Sequence, residues 1–269
     1  MFAATIGPDK VKSKGRRMER SVYARLDRLE DRMWWFAASH RNLLTLLWRE
    51  VSLHTEGPPI LDAGCGTGGF LAQLAARYPN RALVGLDADT LACRRAAAKS
   101  ARPVSVGSIN ALPFPEGVFA AVFSLDVLCH STVDERCAVE QFYGCLADDG
   151  WLVVNVPAYS WMLSRHDVAV HNVRRYTAKG LGRLLEAGGF RVVCVTYWNT
   201  VLFPLMIIIR KVLPKRGGVT SDVTEYPRAI DSLCRVATTF ETALLKRGLR
   251  LPFGGSVIAI ATKNSTAGG

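Results

Sequence analysis

Ile60-Leu61-Asp62-Ala63-Gly64-Cys65-Gly66-Thr67-Gly68-Gly69-Phe70 decides the fold. Its first part, Pro59–Ala63, is a short apolar run that reads as a strand. The part from Gly68 to Arg77 places Phe70, Leu71, Leu74 and Ala75 on one side of a helix. Between them the glycines permit a sharp bend and a close backbone approach to a ligand. The helix behind the bend offers free N–H groups and partial positive charge. Glycines in a strand–bend–helix context are far more informative than glycines alone.

Reading outward, the alternation repeats. Strands are expected at Ala82–Leu86, Val104–Val106, Phe119–Leu125, Trp151–Val156, Arg191–Trp198 and Gly255–Thr262. Helices are expected at Thr90–Ser100, Val133–Leu146 and Ala178–Ala187, with a tight turn at Asp148-Asp149-Gly150. The nearly continuous apolar run of Phe119–Leu125 suits a strand buried on both faces. Such alternation predicts an α/β, doubly wound, Rossmann-like and mostly parallel seven-stranded sheet. Residues 19–52 read as N-terminal helices, and 199–254 interrupts the pattern before the last strand. There we expect a helix at 200–212, a loop at 216–226 and a helix at 228–247, together capping the ligand edge of the sheet. The expected organisation is a basic N-terminal helical segment at 1–55, a core at 56–199, a helical cap insertion at 200–254, and a last strand and tail at 255–269.

Asp87 closes the second strand in Leu86-Asp87-Ala88-Asp89, about 20 residues beyond Gly68. An acid at that strand tip accepts hydrogen bonds from ribose hydroxyls, so bend and acid together read as a nucleoside site. Glycine spacing alone leaves a dinucleotide and S-adenosylmethionine (SAM) both open, since Gly64, Gly66 and Gly69 satisfy the dinucleotide spacing too. Asp62 favours SAM. A carboxylate two residues before the first glycine repels a pyrophosphate and suits the amino group of a methionine moiety.

Residues 60–70 resemble motif I of class I SAM-dependent methyltransferases, and Asp87 resembles the ribose-binding acid of that family. Ser108-Ile109-Asn110-Ala111-Leu112-Pro113-Phe114 is similar to the stretch that flanks adenine, with Ser108 where the family has Asp. Phe119–His130 resembles the fourth-strand motif beside the methionine moiety, and Leu146–Val156 the fifth-strand turn. The resemblance covers about residues 55–200. It implies SAM as cofactor, held by Asp62, Gly64, Cys65, Gly66, Gly68, Asp87, Ala88, Ser108, Ile109 and Leu125. The flanks resemble a narrower bacterial group through Leu29-Glu30, Trp34-Trp35-Phe36, Arg41, Asn172–Thr177 and Leu251-Pro252-Phe253-Gly254. Some members of that group accompany cell-envelope or polyprenyl-linked glycan genes.

Methyl displacement needs an aligned acceptor, exclusion of water and sometimes a base. Three groups of residues are candidates. His130 follows the fourth strand, where ligands sit in such sheets. A polar, basic loop carries His166, Asp167, His171, Arg174, Arg175 and Tyr176. Trp34, Trp35 and Phe36, with His40 and Arg41, form the third. We expect His130, His166 and His171 in catalytic roles, and Trp34, Trp35, Arg41, Arg174, Arg175 and Tyr176 around the substrate. Each also has a structural reading: core packing for the tryptophans, a hydrogen-bonded histidine for His130, and a helix cap for Arg174-Arg175. His166, Asp167 and His171 are a conceivable ligand set, but no metal is expected.

Composition narrows the partners. Lys+Arg number 34 and Asp+Glu 23, a net charge of +11. Residues 1–55 and 205–250 each carry +5, whereas 56–204 is neutral. Basic flanks can meet nucleic acid, an anionic membrane or a phosphorylated substrate, or be plain solvated helix faces. The Asn/Asp-Pro-Pro-Tyr/Phe motif of amino-methylating DNA enzymes is absent, since the fourth strand ends Ser124-Leu125-Asp126-Val127. No nucleic-acid partner is expected. A small-molecule or lipid-linked acceptor is. Val201–Leu213 is too short to span a bilayer. It reads either as a buried helix or as an interfacial segment on the inner face of the membrane. Seven scattered cysteines without C-x-x-C spacing suit reduced thiols in a cytoplasmic protein. A nicotinamide-dependent oxidoreductase and a non-catalytic SAM-fold subunit are the competing readings.

Overall fold

The computed structural model describes residue 30 and residues 33–51, 53–212 and 227–264. Seven strands form one sheet: β1 (Ile60–Ala63), β2 (Leu83–Asp87), β3 (Val104–Val106), β4 (Phe119–Leu125), β5 (Leu146–Pro157), β6 (Phe190–Trp198) and β7 (Ser256–Lys263). Their order is β3-β2-β1-β4-β5-β7-β6. β1 to β5 pair in parallel, and β7 lies antiparallel between β5 and β6. The expected strands are all present within a residue or two, except that β5 starts at Leu146, ahead of the expected turn. Asp149 inside it takes a left-handed conformation.

The helices that lie wholly within the described residues are α1 (Trp34–Glu50), α2 (Gly69–Arg77), α3 (Thr90–Ser100), α4 (Glu135–Cys145), α5 (Arg165–Ala169), α6 (Ala178–Ala187), α7 (Phe203–Ile207) and α8 (Arg228–Lys246). A π-helical turn, Ile208–Val212, extends α7. The Asp89 and Asp134 carboxylates accept backbone N–H bonds at the starts of α3 and α4, as N-caps do. Three expected helices match at both ends or nearly so. The expected loop at 216–226 and the first part of the expected N-terminal helix lie outside the described residues.

The apolar runs explain two cores. Alternate residues of a strand face opposite sides. Leu61, Val122 and Val154 pack with Phe142, Leu181 and Leu185, from α4 and α6. Ile60, Phe123 and Val153 pack on the other side with Leu43, Leu47, Phe70 and Leu74, from α1 and α2. The chain reverses direction across the sheet between β1 and β4. In open α/β sheets the ligand crevice lies at that switch point, beyond the carboxyl ends of the strands.

The insertion departs from expectation. No described residue of 199–254 lines the crevice beside the glycine bend. Instead α8 lies along α1 through a polar seam. Arg41 Nε and Nη2 donate to Thr242 and Thr238 at 3.0 and 3.2 Å. Thr242 donates to the Asn42 side-chain oxygen at 2.5 Å. The Glu241 carboxylate accepts the backbone N–H groups of Asn199 and Thr200. The described part of the insertion thus braces α1, and α1 contributes Trp35, Phe36, Ser39 and His40 to the crevice.

Candidate functional site

A cavity of about 550 Å³ opens at the switch point. The glycine bend forms its floor. Gly64 N and Cys65 N both donate to the Leu86 carbonyl, at 2.7 and 2.9 Å, which fixes β1 to β2 at their tips. Gly68 takes φ +88°, and a Cβ there would lie 2.5 Å from the Ala96 backbone of α3. Its glycine is demanded by helix packing. Gly66 also has positive φ, +54°, but a Cβ there would meet nothing within 4 Å. That position faces the open cavity.

Three carboxylates stand around the bend. Asp87 Oδ2 accepts from Gly66 N, and Oδ1 from Asp89 N, both at 2.9 Å. Each oxygen keeps a lone pair for another donor. Burial pushes the Asp87 carboxyl above the usual range, while the backbone bonds from Asp89 and Gly66 oppose this. Glu30 accepts from Thr67 Oγ1 at 2.6 Å and pairs with Lys99 at 3.0 Å. Asp62, at the end of β1, is only 2% exposed, and its Oδ2 has no hydrogen-bond partner. Burial raises its carboxyl pKa to about 8, helped by the negative charges of Glu30 and Asp87. An unpaired buried carboxylate is expensive unless a cation meets it.

The far wall comes from the tip of β4. Asp126 has φ +57° and is half-buried at the cavity edge. Both its carboxylate oxygens accept from Asn155 Nδ2 at 3.1 Å. The indole N–H of Trp198 donates to Asn155 Oδ1 at 2.7 Å, leaving the Asn155 amino group to point at Asp126. Burial raises the Asp126 carboxyl to about 7, against those bonds and the charge of Arg175. A carboxylate poised near neutrality is suited to take up a proton.

Of the ten predicted cofactor residues, Asp62, Gly64, Cys65, Gly66, Asp87, Ala88, Ser108, Ile109 and Leu125 line the cavity, whereas Gly68 sits behind it against Ala96. His130 and His171 line it too. Burial and then the neighbouring His171 hold the His130 pKa below its ordinary value, so its imidazole is neutral at pH 7. His166 lies on α5, outside the lining.

Trp35 and Phe36 face the cavity in an edge-on pair with ring centroids 5.1 Å apart. Trp34 does not. It packs with Met33 and Cys234, and its backbone N–H donates to Asp231. Arg41 borders a neighbouring hollow and reaches α8. Arg174, Arg175 and Tyr176 stand outside the lining and are engaged with the protein itself. Arg175 forms a buried fork with Asp167 at 2.9 and 3.0 Å and donates to the Ala158 carbonyl. Arg174 donates to the carbonyls of Leu128, His130 and Val133, and Tyr176 Oη donates to that of Leu128. These side chains set the loop that carries His130.

Sequence reasoning did not single out Glu30, Asp126, Asn155 or Trp198 as site residues. Asp126 had a signal, a lone carboxylate directly after an apolar strand. Glu30 appeared only within the flanking resemblance, with no role, because only the fold brings it to Thr67, 37 residues away.

Residues 60–150 match a family model described as a methyltransferase domain. Over 167 residues the chain is 29% identical to the malonyl-[acyl-carrier protein] O-methyltransferase of Geobacter sulfurreducens, covering 56% of this chain and 61% of that one. It is 32% identical over 133 residues to the trans-aconitate 2-methyltransferase of Deinococcus radiodurans, covering 49% and 47%. The chain therefore spans about half to three-fifths of the length of these curated relatives. Among solved structures, the geranyl diphosphate C-methyltransferase of Streptomyces coelicolor aligns over 82% of this chain and 76% of that one, at 12% identity and a TM-score of 0.57. That likeness is one of fold. It was solved with Mg²⁺, geranyl diphosphate and S-adenosyl-L-homocysteine.

Proposed function

We propose that this chain, with a methyltransferase domain at 60–150 on the class I SAM-dependent methyltransferase fold, transfers a methyl group from SAM to a small-molecule or lipid-linked acceptor. The carrying observation is the buried, unpartnered Asp62 oxygen among three carboxylates. Such a site calls for a cationic ligand, and SAM carries an ammonium. A nicotinamide dinucleotide would set its pyrophosphate against Glu30, Asp62 and Asp87, which disfavours the oxidoreductase reading.

The residues present fit SAM. Asp62 is assigned to the ammonium, Asp87 to the ribose hydroxyls through its remaining lone pairs, and Ile109 to the adenine face. Gly66 leaves space where a side chain would obstruct. When bound, SAM supplies a sulfonium methyl that an acceptor displaces directly. The chain contributes the rest: Trp35 and Phe36 as an apolar wall that excludes water, and His130, His171 and Asp126 as polar groups on the acceptor side. Asp126 is the better proton acceptor, since its carboxyl titrates near neutrality while His130 is held below its ordinary pKa. Arg174 and Tyr176 position His130 by holding its loop.

The small-molecule reading of the acceptor follows the names of the curated relatives, which act on a carrier-linked and a free acid; the lipid-linked reading rests on the basic flanks of the sequence. Contact with the inner face of the membrane belongs to the same reading. Calorimetric titration tests the proposal. S-adenosylhomocysteine should bind at micromolar or tighter affinity and NAD(H) should not. Binding of NAD(H) alone would overturn it.

A further inference from the structure

Helix α8 is amphipathic in the wrong sense for a helix packed on a protein core. Its inward face is polar: Thr238, Glu241 and Thr242 are buried, with only Cys234 and Leu245 as apolar companions. Its outward face carries Ile230, Leu233, Val236 and Phe240, which are 47%, 68%, 68% and 59% exposed. These positions recur at helical spacing and make one stripe. A second apolar group lies beside it, because Glu241 ties the backbone of 199–201 to α8. There Val201, Leu205, Ile208 and Ile209 are exposed. Exposed apolar side chains in a row along one helix mark an interaction face.

The surrounding charge selects the partner. The described residues of 199–250 include seven basic side chains and two carboxylates, Asp231 and Glu241. Both carboxylates are drawn inward, Asp231 to Arg235 and the Trp34 N–H, Glu241 to the backbone of 199–201. Among the exposed cations, Lys211 lies two residues past Ile209, and Arg247, seven residues after Phe240, falls on the same side of the helix by spacing, while no described carboxylate falls on the stripe. A second copy would set these cations against their like. An anionic bilayer would attract it, while its acyl boundary accepts the apolar stripe.

We infer that the outward face of α8, with the adjoining exposed residues of 201–209, docks the protein on an anionic membrane surface, α8 lying in the plane of the interface. No described helix is long and apolar enough to cross the bilayer, so the contact is peripheral. This inference deepens the membrane contact of that reading by naming its surface, and its readout, lipid binding, fails or holds apart from methyl transfer.

The test is flotation of the full chain with vesicles of phosphatidylcholine alone or of phosphatidylcholine and phosphatidylglycerol in equal parts. The wild type should float with the anionic vesicles and less so as salt rises. The triple variant L233E/V236E/F240E should bind at least about tenfold more weakly. Lys211→Gln should weaken binding about fivefold on anionic vesicles only. All three substituted apolar side chains are exposed, so unchanged melting and unchanged S-adenosylhomocysteine binding certify the fold. Equal flotation of wild type and triple variant would overturn the inference. So would an absence of flotation, or a concentration-dependent dimer that the triple variant abolishes.

Discussion

At the scale of single residues, Asp62 holds the most chemical information. Its carboxyl is raised to about 8 by burial and by two neighbouring carboxylates. A group whose folded pKa lies above its unfolded value contributes stability below the unfolded pKa, and that contribution fades as pH rises through the folded one. The ligand-free protein should therefore lose stability between about pH 4 and pH 8 from this residue. Asp62→Asn should flatten that slope in thermal melts, and the same variant should lose roughly 30-fold or more in affinity for S-adenosylhomocysteine, because the ligand ammonium loses its buried partner. An unchanged slope together with unchanged affinity would remove Asp62 from the site. Asp126 makes a separate prediction. Once turnover with an acceptor is measured, Asp126→Asn should lower kcat about 100-fold with little change in the KM for SAM. It should also remove an acidic limb near pH 7 from the rate profile.

At the scale of elements, the glycine bend divides into packing and ligand positions. Gly68→Ala forces a Cβ against α3 at positive φ. It should destabilise the fold by about 2 kcal/mol or more, seen as a lower Tm. Gly66→Ala meets open space and carries only the strain of its φ. It should lower the Tm clearly less than Gly68→Ala does, and weaken ligand binding. If the two variants behaved alike, the floor of the cavity would be misassigned. The loop after β5 makes a purely structural prediction. Burial acts to raise the Asp167 carboxyl, but Arg175 and Ser164 outweigh it and hold the pKa below its ordinary value. That pair contributes stability above the unfolded carboxylate pKa, lost as pH falls. Arg175→Met strands a buried carboxylate and should cost about 3–5 kcal/mol in denaturant unfolding at pH 7.

At the scale of the whole molecule, the strands and the bend were legible because they are local. Apolar runs bounded by glycine, and Asp87 about 20 residues past the bend, need no knowledge of distant packing. Six of the nine cavity-lining cofactor residues, Asp62, Gly64, Cys65, Gly66, Asp87 and Ala88, belong to that bend and strand tip, whereas Ser108, Ile109 and Leu125 came from the family resemblance. What stayed hidden depends on long-range contacts. Arg174, Arg175 and Tyr176 look in sequence like a polar substrate loop, yet their partners are carbonyls and the carboxylates of Asp167 and Glu135, up to 48 residues away. The insertion reads in sequence as a cap because it interrupts the alternation before the last strand and holds two amphipathic or apolar helical stretches. The apolar face of α8 points outward, and the polar face of Thr238, Glu241 and Thr242 is spent on α1 and the backbone of 199–201. Periodicity reports that a helix has an apolar side without reporting which neighbour it meets.

Calorimetric titration of the full chain with S-adenosylhomocysteine at pH 7, repeated in buffers of different ionisation enthalpy, tests the central claim most directly. The account predicts micromolar or tighter binding with release of close to one proton, as Asp62 gives up its proton to pair with the incoming ammonium; the proton release should vanish in Asp62→Asn. Absence of binding, or binding without proton release in the native chain, would contradict it.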